Sequence, residues 1–428
     1  MRKRAFGLIF LIALLSISTY GVSAKQVELT WWYCCAQESR AVMFGSWARE
    51  YESLNPGVKI NDMYPMISSG TYNDKVFVSM VGGAGPDVVW MGGGFPRFLE
   101  GFFEPLDKLV ADTPDLQSIF APIRQAVSWQ GQQLGIPYGI NVSAVYYNKD
   151  MLDAVGISIN NNWTWEDLIR VGQRLTRDVD GDGNIDVYGF AFDYNNYSWW
   201  YGYGGAPYSA DMRQATINNP ENAAGLAVLA DILSGNARAG VPMGMTSLAP
   251  ANNARRPAWY AQKIAMHIDG VFQLQEFPSY APFEWDVAPI PGLNYSGRIL
   301  RNEPMSLESW AIWSGSPNKE EAIKFLAFIS SRQKTAEFGR VGGILPTIPR
   351  ATAEFLNAKT PAVNRAVYVD AMNHVGTYLE QHPVYDSLRA TIRSLQSEVF
   401  WGRMAPEAML EQAEGIINQS LNEYWSRR

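Results

Sequence analysis

The sequence predicts an α/β protein of two large lobes. Three observations carry this expectation. Short apolar, β-branched segments alternate with longer helix-period segments, which argues for a mostly parallel sheet with helices on both faces. Clusters of Gly, Pro and Asn end those segments sharply. The chain has 428 residues, more than one ordinary domain of about 100–200 residues accounts for.

Residues 1–24 read as a secretory leader: Arg2, Lys3 and Arg4 precede the apolar run Phe6 to Leu15, and Val22-Ser23-Ala24 supplies a small-residue cleavage site. The run is short for a membrane span. No Cys stands at the cleavage position, and Cys34 follows Trp31-Trp32-Tyr33, so the expected product is exported, cut after Ala24 and without a lipid anchor. Val27 to Tyr33 reads as a strand and Glu38 to Asn55 as a helix, stopped by Asn55-Pro56-Gly57. Val58 to Met63 is a second strand, Tyr72 to Val81 a helix, and Asp87 to Met91 a third strand before Gly92-Gly93-Gly94. Ligands in such sheets bind beyond the carboxyl ends of strands, which directs Trp31, Tyr33 and Trp90 toward a site.

From Gly135 to Asp150 the chain is apolar and aromatic, with no charge before Lys149. A strand of that kind is expected to be buried on both faces. Asn141 and Ser143 lie inside it on one side. Buried amides and hydroxyls need partners, backbone or ligand. Thr164 and Asp167 have capping-box spacing and start a helix. Asn222 to Leu233 is another helix; Ile264 to Ile268, Trp285 to Ala288 and Trp310 to Trp313 read as strands. Lys319 to Ser330 is an amphipathic helix, Gly342 to Pro346 a turn, and helices follow to the end.

The formal charge is −7, and the leader would remove three basic residues from it. That balance argues against nucleic acid and anionic membranes as partners. Aromatic residues make up 13% of the chain, with Trp 15 and Tyr 21. The densest cluster runs from Tyr194 to Tyr201 and offers Tyr197, Trp199 and Trp200 as rings for stacking on a ligand. The two cysteines, Cys34 and Cys35, are adjacent; they admit a strained vicinal disulfide or two buried thiols, and neither reading makes a zinc site.

In order along the chain, Asn55-Pro56-Gly57-Val58-Lys59, Gly85-Pro86-Asp87-Val88, Gly135-Ile136-Pro137-Tyr138 through Tyr147-Asn148-Lys149-Asp150, and Thr164-Trp165-Glu166-Asp167-Leu168 form a colinear set. Lys263-Ile264-Ala265-Met266 with Asp269-Gly270, Trp285 to Pro289, Ala322 to Phe328 and Gly342 to Pro346 complete it. The set resembles the extracellular solute-binding proteins of ABC importers, in the carbohydrate-binding family that includes the maltodextrin-binding proteins. The resemblance implies the two-lobe periplasmic-binding-protein fold: mixed sheets flanked by helices, a sugar in the cleft between lobes, and closure about crossover strands. On that template the crossovers are Pro137 to Ser143, Met305 to Ser309 and Leu345 to Thr347. Residues 25–141 with 309–345 would form one lobe, and 142–308 with 346–428 the other.

Asn141 would face the cleft. Asp269-Gly270-Val271-Phe272 matches the position where a ring stacks on sugar, with Phe272 where the family often has Trp. Glu308, Trp310, Gly342 and Gly343 would come from the later crossovers, and Tyr385 or His382 from the C-terminal helices. Trp259, Trp285, Trp313 and Trp401 read as structural. The implied protein is a monomeric, periplasmic carrier, no enzyme, that hands an oligosaccharide to a membrane permease. A polyol or phosphorylated solute is the alternative ligand. A secreted glycosidase using Asp269 and Glu308 is the enzymatic alternative; no Walker loop, G-x-S-x-G or H-E-x-x-H accompanies it. Asp178, Asp180, Asp182, Asn184 and Asp186 have the spacing of a calcium loop, but Gly189 stands where an EF-hand closes with Glu. Either a calcium site or a solvated Asp/Gly hairpin fits, and no cofactor is required.

Overall fold

The structure, a computed structural model, describes residues 26–34, 38–63, 69–92, 101–191, 199–242, 255–303, 305–341, 343–358, 363–374, 382 and 384–427. The leader and Cys35 lie outside these residues. Cys34 is buried and disulfide-bonded. Among the described residues no helix is long and apolar enough to cross a membrane.

Described strands, in chain order, are β1 (Val27–Trp32), β2 (Val58–Met63), β3 (Val88–Gly92), β4 (Ser128–Trp129), β5 (Gln132–Gln133) and β6 (Ile136–Asn148). They continue with β7 (Tyr188–Ala191), β8 (Ile264–Gly270), β9 (Trp285–Ala288), β10 (Leu293–Tyr295), β11 (Arg298–Leu300), β12 (Met305–Ile312) and β13 (Leu345–Pro346). Nine of them share one sheet, in the order β2-β1-β3-β12-β6-β8-β7, with β9 and β13 also paired to β6. The first three strands are parallel, as their alternation with helices Glu38–Leu54 and Ser69–Val81 requires. β12 is antiparallel to both β3 and β6, and β8 is antiparallel to β6. The sheet is therefore mixed rather than mostly parallel, because β12 arrives from late in the chain to join strands laid down early.

β6 organises the molecule. Its 13 residues span about 40 Å at the usual strand rise. Ile136 to Val142 pair with β12, and Ser143 to Tyr147 pair with β8. Leu345 and Pro346 of β13 pair with Ile140 and Gly139. The strand thus changes its main partner between Val142 and Ser143, where three separate stretches of chain run side by side. The register shifts between Glu308 and Ser309 of β12, which face Gly139 and Pro137, so Tyr138 is the extra, bulged residue of β6; Pro137 has no N–H for a regular ladder, and a bulge is one way to absorb that.

Large aromatic cores flank this sheet. Trp31 and Trp310 are fully buried, their ring centroids 5.2 Å apart, and Phe44 and Phe325 close on Trp31 at 5.6 and 5.1 Å. Tyr138 stacks on Trp310 at 4.5 Å. Trp200 is fully buried in a second core with Tyr201, Phe400 and the C-terminal helices. The predicted capping box is present: Thr164 and Asp167 bond reciprocally and start helix Trp165–Leu175. That helix lies close on β7 because Gly189 faces Gly172; a Cβ at Gly189 would be 2.1 Å from the Gly172 carbonyl oxygen.

Candidate functional site

Two groups of polar side chains meet the crossovers. The first is centred on Glu308 of β12, at the register shift opposite the Tyr138 bulge of β6. Its Oε2 accepts from Tyr138 Oη at 2.6 Å, from Trp90 Nε1 at 3.3 Å and from Arg40 Nη2. Arg40 and Glu308 form an ion pair whose side chains are 5% and 13% exposed. Burial pulls the Arg40 pKa down, but the Glu308 carboxylate and Tyr138 outweigh it and leave it raised. Burial, reinforced by Glu308, pushes the Tyr138 phenol well up. Tyr138 therefore stays a neutral donor. All three donors use one carboxylate oxygen, so this half-buried carboxylate is held in place while Oε1 carries none of these bonds.

The second group forms where β8 ends. Asn141, from the middle of β6, is half-buried, and its Oδ1 is a buried acceptor without a partner. A Cβ on Gly270 would lie 2.6 Å from that oxygen and 2.4 Å from Phe272 Cε1. Only glycine lets the amide, the turn and the half-buried Phe272 ring meet here. Asp269 lies just below, fully buried, accepting from Arg255 Nη2 at 2.9 Å and from Arg256 Nε and Nη2 at 2.9 and 3.1 Å. Burial pushes its carboxyl up, but Arg255 and Arg256 outweigh that and hold it well below the ordinary carboxylate range. Helix Gln273–Tyr280 starts immediately after the turn, and its Gln275 reaches Val341 O at 3.2 Å. A Cβ on Gly343 would meet the Gln275 amide at 2.4 Å, so the segment leading into β13 packs against this helix.

Several expected site residues need correction. Trp31, Trp310 and Trp200 have no exposed surface, and Asp269 has 1%. Their rings or carboxylate are enclosed by protein and offer a ligand nothing to touch. Strand alternation turns the Trp31 and Trp310 rings inward, whereas Trp200, singled out by the density of rings around it, lies in a 3-10 turn that packs it into the second core. Gly270 is buried and acts by letting others approach. Tyr33, Tyr385 and Trp90 are nearly buried at 2%, 3% and 5%; Tyr33 donates to Asp62, and Trp90 serves Glu308. Trp401, read as structural, is 44% exposed with Arg403 stacked over its ring. Tyr197, Gly342 and the Trp199 side chain lie outside the described residues. Gly343 is buried beside Gln275. Sequence reasoning missed Arg40, Tyr138, Arg255, Arg256 and Gln275. An adjacent Arg255-Arg256 pair in an acidic chain was the one available signal.

In the acidic loop, Asp178, Asp180 and Asp186 bring carboxylate oxygens within 4.8 Å of one another, all exposed. Asp182 and Asn184 are not in that group. Backbone donors already occupy these side chains: Gly181 and Gly183 N–H on Asp178, Val179 N–H on Asp186, and Asp182 N–H on Asp180. Asn184 N–H and Nδ2 likewise donate to Asp182, so Asx-type bonds run through the whole turn.

The fold is that of two-lobe periplasmic binding proteins. An ABC substrate-binding protein from Listeria monocytogenes, solved with cycloalternan, superposes with a TM-score of 0.76 at 22% identity, covering 93% of this chain and 99% of that one. The Bdellovibrio bacteriovorus maltose/maltodextrin-binding domain, bound to maltotriose, gives 0.71 at 20% identity over 92% and 100%. In sequence, a Brucella abortus protein described as a binding protein is 23% identical over 94% of this chain and 95% of its own length. A maltotriose-binding protein of Pyrococcus abyssi is 23% identical over 69% of this chain and 61% of its own. The profile for bacterial extracellular solute-binding proteins matches residues 44–336, more than half the chain. The chain belongs to the bacterial extracellular solute-binding protein family.

Proposed function

We propose that this protein captures a neutral carbohydrate, an oligosaccharide, between its two lobes and delivers it to the permease of an ABC importer. One observation carries the reading. At the middle of β6, where the chain crosses between partners, a carboxylate held by three donors (Glu308) and an amide–glycine–aromatic group (Asn141, Gly270, Phe272) flank the same strand. Hydrogen-bonding groups for hydroxyls beside a ring for a sugar face are what carbohydrate recognition asks for. The names of the relatives, binders of maltotriose and of arabino-oligosaccharides, support that choice. A ligand touching both sides would stabilise the closed arrangement by its differential contacts.

The reading includes the lobes as divided at residues 141/142, 308/309 and 345/346, export with cleavage after Ala24, a free periplasmic monomer, and no cofactor. Catalysis finds little support: Asp269, half of the carboxylate pair a glycosidase would need, is ion-paired twice and buried. A thermal-shift screen tests the proposal, using maltotriose, longer and cyclic glucans, arabino-oligosaccharides and mannitol on the mature chain. A rise in Tm with an oligosaccharide and no product release is expected. Response to mannitol alone would move the assignment to polyols. No response to any sugar, or hydrolysis during incubation, would overturn it.

A further inference from the structure

We propose that Arg256 is a positioning residue that fixes the plane of the Phe272 ring for ligand, working from the buried Asp269 carboxylate. The inference rests on the carbohydrate reading above. Arg256 binds Asp269 through two nitrogens, Nε to Oδ2 and Nη2 to Oδ1, so the orientation of its planar guanidinium is set by the carboxylate. Arg255 Nη2 and the Gly270 N–H, at 2.9 and 2.8 Å, hold that carboxylate from other directions. The guanidinium carbon of Arg256 lies 5.4 Å from the centroid of the Phe272 ring, over its face. Gln273, with its amide turned so that both ends are satisfied, accepts from Arg256 Nη2, Nε and Nη1 at 2.5, 2.6 and 3.2 Å, which fixes the guanidinium further, and donates to Glu276 Oε2 at 3.0 Å.

A clamp of this kind exceeds what stability alone asks for. A buried ion pair can be replaced as a whole by apolar packing at little or no cost, and one arginine would neutralise the carboxylate. What two arginines and a bidentate fork add is direction. The contacts run from a carboxylate held by several donors, to a guanidinium bound to it by two nitrogens, to the ring over which that guanidinium lies. The ring's edge meets Gly270, on whose far side stands Asn141 Oδ1. The ring that the proposed sugar would use is thereby held at a set angle to the amide that would bind its hydroxyls. Lysine keeps the charge but has neither the fork nor the flat face.

Two readouts test this on the mature, full-length protein. 4-Fluorophenylalanine placed at position 272 gives a 19F signal that reports the ring without any ligand. Arg256→Lys should shift or narrow that resonance in the sugar-free protein, and an unchanged resonance overturns the proposal. With maltotriose as probe, Arg256→Lys should weaken the Kd about tenfold by releasing a preorganised contact. Phe272→Leu should weaken it as well, and the double variant should bind no worse than Phe272→Leu alone. Losses that multiply would mean Arg256 acts elsewhere and would overturn the proposal. If neither maltotriose nor any other sugar of the panel perturbs the 19F signal or binds the parent protein, the carbohydrate reading fails, and the sugar-free resonance still decides the clamp.

Discussion

Removing the Glu308 carboxylate should cost far more than removing its arginine partner, although both lie in one ion pair. In Glu308→Leu the Arg40 side chain, only 5% exposed, loses its counter-charge and stays buried. Breaking a buried pair in that way costs about 3–5 kcal/mol. In Arg40→Met the carboxylate keeps its bonds from Tyr138 and Trp90 and some water, since its side chain is 13% exposed. About 1–3 kcal/mol is the expected loss there. The double variant removes both charges and leaves an apolar pair near Phe338, over which Arg40 now stacks. It should cost about 1–2 kcal/mol, giving a coupling of about 2 kcal/mol or more. Urea unfolding followed by circular dichroism, without sugar, measures all four proteins at constant m. Additive costs, or a Glu308→Leu cost below about 1 kcal/mol as for an exposed pair, would refute the view that this carboxylate is a buried, held group.

Four further outcomes follow. Burial, with Arg255, holds the His267 pKa well below 6.5, so the folded state keeps this histidine neutral; its contribution is present above pH 6.5 and is lost as pH falls below it. His267→Phe, in a site ringed by Trp259 at 4.7 Å and Phe277 at 5.4 Å, should raise stability at pH 5 relative to the parent more than at pH 8. Burial pushes Glu303 up from 4.5 to about 7 against the pull of Arg301, which has the opposite sign: stability is full below pH 4.5 and falls as pH rises through 7, by about 3 kcal/mol. Glu303→Gln should flatten that slope in urea melts run from pH 4.5 to 8, and an unchanged slope would count against a protonated Glu303. Gly270→Ala should lose about 1–3 kcal/mol from overpacking and most of its sugar response in calorimetry, because the new methyl displaces Phe272 or Asn141. Chelation with EDTA should leave both Tm and sugar affinity unchanged; a calcium-dependent rise in Tm would make the Asp178–Asp186 loop a metal site.

The sheet was readable because its signal is local. The apolar run from Gly135 to Asp150, and the breakers after Asn55 and Gly82, are short-range facts, and each marks an element within a residue or two of its observed end. The capping box at Thr164 is the same kind of fact. The aromatic excess was harder to place. It was read as surface for sugars, yet Trp31, Trp310 and Trp200 are spent on building cores. Composition says that rings are plentiful but not which side of a strand they take. Strand alternation fixes that only once the neighbours of the sheet are known.

The polar machinery was hidden for a different reason. Arg40 and Glu308 are 268 residues apart, and Tyr138 and Glu308 are 170 apart. No periodicity links them; β12 returning between β3 and β6 does. Glu308 was expected at a crossover, but its donors become visible only when that strand order is known. Arg255 and Arg256 stand closer to Asp269, by 14 and 13 residues; their adjacency is a signal of charge, but it does not name Asp269 as the partner, since a helix and a strand must fold together before their charges meet. The crossover that brings the late strand back beside β6 therefore does two things at once. It ties β3 to β6 in one sheet, and it assembles the groups that would bind a ligand from residues which elsewhere in the chain have no reason to meet. A perturbation of the hinge strands should for that reason be felt as a change in the site's own geometry, and substitutions at Gly139 or Gly343, where a Cβ would meet Ile344 at 3.0 Å and Gln275 at 2.4 Å, are the places where affinity and lobe motion should change together.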